Sequence, residues 1–416
     1  MKNHVLGALV IIVQLWRRVV LSVLNGRNIF QFILNFFISF SPVLIWLSIF
    51  KNAGLIPNWT RPPIHVKLAM TLDRYIFDIF LYPIYGITSL SFLVALCGAL
   101  IKYQELELQV TTIPMDATLL NSPHSLDADV TPFFERDSNP ELFVEHYNNN
   151  NGRVSKSLET PKTKPLNCWC LATPILVPTS WFILNLVYWF RDPIRTPKDL
   201  LAWFLYVVCH LVAPIFTAIW LYLFQPPGAL RLFSLGLGIQ NIAGVVTHLI
   251  FPNVPPWYIY FYGEETIPDY DMPGFAAGLI RIDMIMGTHI HTAGFHISPI
   301  VFGALPSLHS AMAVMVFLFV SYYSRNMGVK IAYLLYVVLQ WWATIYLDHH
   351  WRLDLIVGML YSIASFSFLL FWSRGLSFVE RNFILARKRC DFKNGSTAGM
   401  RIFRNTKLQT VFDPYS

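Results

Sequence analysis

The sequence predicts an all-α polytopic membrane protein with about eight transmembrane helices. Three observations carry this. Of 416 residues, 55% are hydrophobic and only 13% charged, whereas a soluble domain carries about a quarter charged residues. The apolar residues gather in continuous runs of about twenty, the length that spans a bilayer as a helix. These runs lack the ten-residue alternation of a membrane β-barrel, so helices that satisfy their own backbone are the remaining choice.

Spans are expected near 29–50, 76–101, 168–190, 199–224, 230–251, 301–323, 331–347 and 355–372. Ahead of them, residues 5–16 form an apolar stretch that stops at Arg17-Arg18. It is short for a span and is expected to lie in the interface. Residues 104–165 differ in kind, with ten acids, six prolines and four successive asparagines at 148–151. Such a composition cannot bury a core and predicts a flexible polar cytosolic loop. Four regions result: 1–103 with the interfacial helix and two spans, the loop 104–165, a six-helix membrane domain 166–373, and a basic cytosolic tail 374–416.

The net charge is +7, and the chain from Arg374 onward holds nine Lys/Arg against three acids. Beside a last span, that tail points to the cytosol and anionic lipid and not to nucleic acid. An even number of spans puts both termini on one side. The loops 51–75, 191–198, 252–300 and 348–354 then share the opposite side, as does the sequon Asn58-Trp59-Thr60. Arg61, Lys67, Arg74, Arg191, Arg195 and Lys198 on that side run against the charge rule. None of the five cysteines pairs with another in an extracytoplasmic loop, so no structural disulfide is expected.

Seven of the twelve histidines fall between 248 and 350. His309, in "PSLHS" at 306–310, opens the sixth span at its far end, and His350 closes the loop after the seventh. Topology alone brings these two imidazoles to one membrane face. In "DHHWRLDL", His350 and Asp354 are four apart and would share a helical face. A carboxylate that accepts the Nδ1 proton leaves Nε2 as a nucleophile or base. His309 would then protonate a leaving alkoxide, completing a minimal kit for two-step phosphoryl transfer through phosphohistidine. The plainer alternative is a helix cap or a solvated pair.

Pro306 sets a helix start, where Ser307 either contacts substrate phosphate or simply caps the helix. A transferred phosphodiester needs cations. Arg281, in "GFAAGLIRID" at 274–283, is the preferred clamp, with an interfacial anchor as its alternative; Arg352 is a second candidate contact. His210 and His248 lie inside spans and read as hydrogen-bonded core residues, and Trp257 and Tyr258 as interfacial-belt aromatics. His289-x-His291 lacks a third ligand at convincing spacing, although Asp283 is near, so neither a metal nor a cofactor is expected.

"PSLHS" followed by His350-x-x-x-Asp354 resembles the membrane phosphatidic-acid-phosphatase superfamily, with its PSGH-like motif and later SR-x5-H-x3-D motif. Leu308 replaces the motif glycine, and Thr344 stands where that motif has arginine, which disfavours plain lipid phosphate hydrolysis. "PPWY", "YDMPGFAAGLIRID", "SPIVFGALPSLHS" and "WWATIYLDHHWRLDL" resemble the fungal inositol phosphorylceramide synthase family across about 197–360. "WLSIFKNAGLIP", "KDLLAWF", "FQPPGALR" and "NIAGVVTHL" are more similar to its inositolphosphotransferase branch. The resemblance implies a six-helix phosphatidic-acid-phosphatase-like core and a catalytic triad of His309, His350 and Asp354. It also implies a lumenal site in the Golgi membrane, with phosphatidylinositol as donor and diacylglycerol as leaving group. The implied acceptor is mannosyl-inositol-phosphorylceramide, giving mannosyl-di(inositol phosphoryl)ceramide. Ceramide as acceptor and a non-catalytic transporter or scaffold stand as alternatives, and a regulatory membrane subunit is compatible with the resemblance.

Overall fold

The computed structural model describes residues 2–79 and 166–415. The polar loop 104–165 and most of the expected span 76–101 lie outside them. Among the described residues, regular structure is helical: α1 (Lys2–Leu24), α2 (Ile29–Asn52), α3 (Leu68–Arg74), α4 (Leu166–Trp189), α5 (Thr196–Phe224), α6 (Ala229–Ile250), α7 (Pro256–Tyr262), α8 (Leu279–Met286), α9 (Ile290–His296), α10 (Leu308–Tyr323), α11 (Met327–Tyr346), α12 (Arg352–Phe371), α13 (Leu376–Lys388), α14 (Ala398–Ile402) and α15 (Leu408–Val411). Five of these are long and apolar enough to cross a membrane: Ile29–Leu55, α5, α6, α11 and α12; α10 is a shorter apolar helix.

Two boundaries differ from expectation. Helix α1 runs straight through Arg17-Arg18, because arginine is a good helix former, and the chain leaves it at Asn25-Gly26, both at positive φ. The sixth span begins at Leu308 and not at 301. Residues 301–307 ahead of it form a bent loop, in which Gly303 bridges to Asn253, which bridges in turn to His65. The helix then starts on a cap, with Ser307 Oγ accepting from the Ser310 backbone N–H at 3.3 Å.

Helices α10 and α12 form the centre of the bundle. Ser310 Oγ donates to the Leu355 carbonyl at 2.7 Å, and Ser362 Oγ to the Ala311 carbonyl at 2.6 Å. Ser365 Oγ donates to Gly236 of α6 at 2.9 Å. Lipid offers little hydrophobic drive for helix association, so small residues and interhelical hydrogen bonds supply it. Gly358 marks the closest approach: a Cβ there would overlap the Ser307 carbonyl oxygen.

The four loops expected on one side do meet. The His65 N–H donates to the Pro252 carbonyl, that of Trp257 to Asp348, and that of Gly278 to Leu347, each at 3.0–3.1 Å. Arg191 Nη1 lies 3.5 Å from Asp348 Oδ1. The sequon side chain Asn58 is exposed, and its amide donates to Asp271 at 2.6 Å. Trp257 and Tyr258 are not belt aromatics: they are buried with Met70, Val254 and Phe302 in a core of the loops' own. At the other end of α5, the tail is folded against α1. Arg401 Nε donates to the Ser22 carbonyl at 3.2 Å, and Phe412 stacks on Phe224 at 4.5 Å.

Candidate active site

His309 is the second residue of α10. Its ring lies on Tyr206 at 4.1 Å and 19°, and 4.2 Å from the ring of His210. Both partners come from α5, where residues 204–209 wind as a π turn. Such turns recur at functional sites; this one presents Tyr206 and His210 to the same imidazole. Tyr206 also stacks on His349 at 4.9 Å, and His349 on Phe295 at 4.9 Å. His210 is therefore not the hydrogen-bonded core residue expected, since its Nδ1 is buried without a partner. His248 is hydrogen-bonded, its Nε2 2.8 Å from the Pro306 carbonyl at the start of α10.

His350 precedes α12, so it shares no helical face with Asp354. The two still meet, Nδ1 to Oδ2 at 3.5 Å. A closer neighbour is the Ala304 carbonyl, 3.0 Å from Nδ1, which accepts its proton. Asp354 Oδ2 instead accepts the Trp351 backbone N–H at 2.8 Å, capping α12, while its Oδ1 is buried without a partner. The backbone thus fixes the His350 tautomer, and the Asp354 carboxyl group stands beside the ring without holding its proton. Nε2 remains for chemistry, and the His309 and His350 ring centroids are 5.8 Å apart.

Burial pushes the His350 imidazole down to about 4, against the opposing bond to Ala304. Burial, then the nearby His350, push His349 down to about 3. Both rings are neutral at pH 7, so His350 needs no prior deprotonation to act as a nucleophile. The same shifts set a stability trend. Unfolded imidazoles take up protons as pH falls below about 6.5, whereas the folded ones refuse them until about 4. The thermal midpoint in detergent is expected to drop progressively across that window. His349→Phe, which keeps the stacking and removes one titration, should show a shallower drop; an equally steep one would contradict the assignment.

Other candidate contacts are placed differently from expectation. Ser307 is fully buried and does not face a substrate. Its N–H donates to the Asp354 carbonyl at 3.0 Å, tying α10 to α12. Arg352 is also turned away. Its Nε and Nη2 donate to Asp73 at 3.0 and 2.8 Å, Nη2 also to Asp78 at 2.9 Å, and Nη1 to Asn185 at 3.0 Å. A guanidinium so buried must be paired, which is why it points into acids instead of toward the site. Arg281 lies over the Tyr346 ring with Nε held by Asp199 at 2.7 Å, while its Nη2 is buried without a partner. The start of its helix docks on Leu347, two residues before His349, and one nitrogen of the guanidinium stays buried and uncommitted.

Thr344 bonds back to the Trp341 carbonyl at 2.8 Å and is fully buried, so no cation replaces the arginine of the phosphatase motif there. His291 Nδ1 donates to Asp283 at 2.7 Å, and its Nε2 accepts from Trp203 at 3.0 Å, which spends both nitrogens structurally. Among the described residues, no three His, Cys, Asp or Glu side chains converge as a metal site. Leu308, the departure from the motif glycine, fits because α6 offers Gly244 beneath it: a Cβ at 244 would overlap Leu308 Cδ2.

Two histidines meet with a buried aspartate beside one of them, the arrangement the sequence leads one to expect of a phosphatidic-acid-phosphatase-type protein, and residues 181–368 match the PAP2 superfamily. The chain is 32% identical to Inositolphosphotransferase 1 of Saccharomyces cerevisiae, over 94% of this chain and 96% of that protein. It belongs to the family of that inositolphosphotransferase. It is also 41% identical over 170 residues to the inositol phosphorylceramide synthase of Candida albicans, covering 41% of this chain and 36% of that one. A phosphoinositol dihydroceramide synthase of Bacteroides thetaiotaomicron is 30% identical over 43% of this chain and 58% of its own. No solved structure matches.

Proposed function

We propose that this protein transfers inositol phosphate from phosphatidylinositol to a sphingolipid, with mannosyl-inositol-phosphorylceramide as acceptor. The observation that carries the chemistry is His350, its Nδ1 held by Ala304 and its ring 5.8 Å from that of His309. His350 Nε2 attacks phosphorus, and the bond to the diacylglycerol oxygen breaks. The anionic phosphodiester bound beside His309 favours its imidazolium, which gives its proton to that oxygen, and diacylglycerol leaves. The acceptor hydroxyl then gives its proton to His309 while its oxygen attacks phosphorus. The P–N bond breaks and both histidines return to their starting states. Arg281 Nη2, a buried donor with no partner in the protein, is the candidate to meet a phosphate oxygen.

Similarity along nearly the whole chain is to an inositolphosphotransferase, and the mannosylated acceptor is what the resemblance to that branch implies. Similarity to the synthases covers only 41–43% of the chain. The loops that hold the histidines meet on the side opposite the folded tail, which fits a lumenal site in the Golgi membrane with a cytosolic tail. The test is direct: purified full-length protein, labelled phosphatidylinositol, and each acceptor in turn. Product with the mannosylated lipid is expected. Product with ceramide and none with the mannosylated lipid would reassign the acceptor.

A further inference from the structure

The segment before the long polar loop reaches the catalytic residues in two places. At residue 73, one aspartate serves two tasks. Its Oδ2 accepts from Arg352 Nε and Nη2 at 3.0 and 2.8 Å, and its Oδ1 accepts the Leu353 backbone N–H at 2.9 Å. Leu353 lies in the first turn of α12, whose N–H groups have no partner within the helix. Asp73 therefore holds the turn that lies between His350 and Asp354. It is 3% exposed, Arg352 is 3% exposed, and the guanidinium is sandwiched over the rings of Phe77 and Tyr188 at 4.7 and 4.4 Å. Buried charges of this kind hold a single geometry, because any other leaves one of them unpaired.

The second place is His65. The Val254 N–H donates to the His65 carbonyl at 3.2 Å, while the Asn253 N–H donates to Phe302 at 2.9 Å and the Ala304 N–H to Asn253 at 3.4 Å. The Ala304 carbonyl at the end of this ladder holds His350 Nδ1. Both supports of the nucleophile, the carbonyl on its ring and the helix turn that follows it, are thus braced by residues 65–73. That stretch lies outside 181–368, the part that matches the superfamily.

We propose that Asp73 is a positioning residue for the His350–Asp354 pair, which makes the N-terminal segment part of the catalytic unit. This rests on the transfer chemistry proposed above. Asp73 touches no reacting atom; it acts through the first turn of α12. A positioning role and a merely structural one differ in what they move. Mispositioning the nucleophile slows turnover of bound substrate and leaves donor binding nearly unchanged, since a displacement of about 1 Å can cost about a hundredfold in rate.

The experiment measures kcat and KM for labelled phosphatidylinositol with purified full-length Asp73→Asn, Asp73→Glu and His350→Ala. Asp73→Asn is expected to lower kcat by about thirtyfold or more with KM within about threefold, and Asp73→Glu, which restores the charge, to recover much of it. Wild-type kcat in folded Asp73→Asn would overturn the proposal, as would a change in KM alone. If Asp73→Asn does not accumulate, the double variant Asp73→Asn/Arg352→Gln removes both buried charges and takes its place. Reduced kcat at unchanged KM in that variant supports positioning. Wild-type kcat there, or failure of that variant to fold as well, would leave a purely structural clasp and overturn it. His350→Ala separates the two claims: if it stays active, the chemistry itself is wrong, whereas an inactive His350→Ala beside a normal Asp73→Asn sinks only this inference.

Discussion

Replacing His350 with alanine is expected to lower inositol phosphate transfer by about 10⁴-fold or more, the scale seen when a covalent nucleophile is removed. The fold should survive, because the change leaves the buried Ala304 carbonyl without its imidazole partner, a loss of about 1–3 kcal/mol, plus some packing. The decisive readout is the intermediate. Incubated with labelled phosphatidylinositol and no acceptor, the wild-type protein should carry label in a bond that acid breaks and alkali spares, as expected for a phosphoramidate. His350→Ala should carry none. Label retained at another residue would move the nucleophile elsewhere.

Two companion variants separate the roles. His309→Ala should lose transfer from the natural donor but recover the first half-reaction with a donor whose leaving group is acidic, since such a group departs without a proton. Asp354→Asn should be milder than His350→Ala, at about ten- to a hundredfold. The tautomer of His350 is fixed by the Ala304 carbonyl at 3.0 Å, while the carboxylate lies farther off at 3.5 Å. A fall as deep as that of His350→Ala would return tautomer control to the carboxylate.

The parts legible in the sequence were those that depend on local pattern. Helices α2, α5, α6, α11 and α12 follow from apolar length, with boundaries within a few residues. The meeting of His309 and His350 follows from counting spans. What was not legible depends on partners remote in the chain. Arg352 reads as a substrate cation until Asp73 is found beside it, 279 residues away, and no local pattern announces that pairing. The Ala304 carbonyl that holds His350 is backbone and carries no side-chain signal at all. Tyr206 and His210 did leave a signal, two polar rings four apart inside an apolar run, which is costly in lipid unless used. The π turn that aims both at His309 is invisible in composition. Leu308 shows the same limit: its departure from the motif glycine is legible, but its accommodation by Gly244 on a separate helix is not.

Gly358→Ala is the second large effect, and it tests whether the site depends on the crossing of α10 and α12. A methyl group at 358 would overlap the Ser307 carbonyl oxygen and press on Ser310 Cβ at 3.1 Å. Ser307 cannot yield by a rotamer change, because the clash is with backbone. Its N–H is bonded to the Asp354 carbonyl at 3.0 Å, and Ser310 Oγ to the Leu355 carbonyl at 2.7 Å. The helices must therefore separate, stretching the bonds that join them. Overpacking of this kind costs about 1–3 kcal/mol, so the thermal midpoint should fall by a few degrees while the protein still folds. The catalytic cost should be larger than the stability cost. His309 rides on α10, and His350 is fixed at the start of α12, so separation alters the distance across which the proton and the phosphoryl group are exchanged. At about a hundredfold per ångström of misplacement, kcat should fall by about two orders of magnitude with donor KM little changed. Gly294→Ala is the control, because a Cβ there meets nothing within 4 Å, and it should be near neutral. Wild-type turnover in Gly358→Ala would show that the two histidines tolerate a shift at the crossing, and that the tight α10–α12 contact serves stability alone.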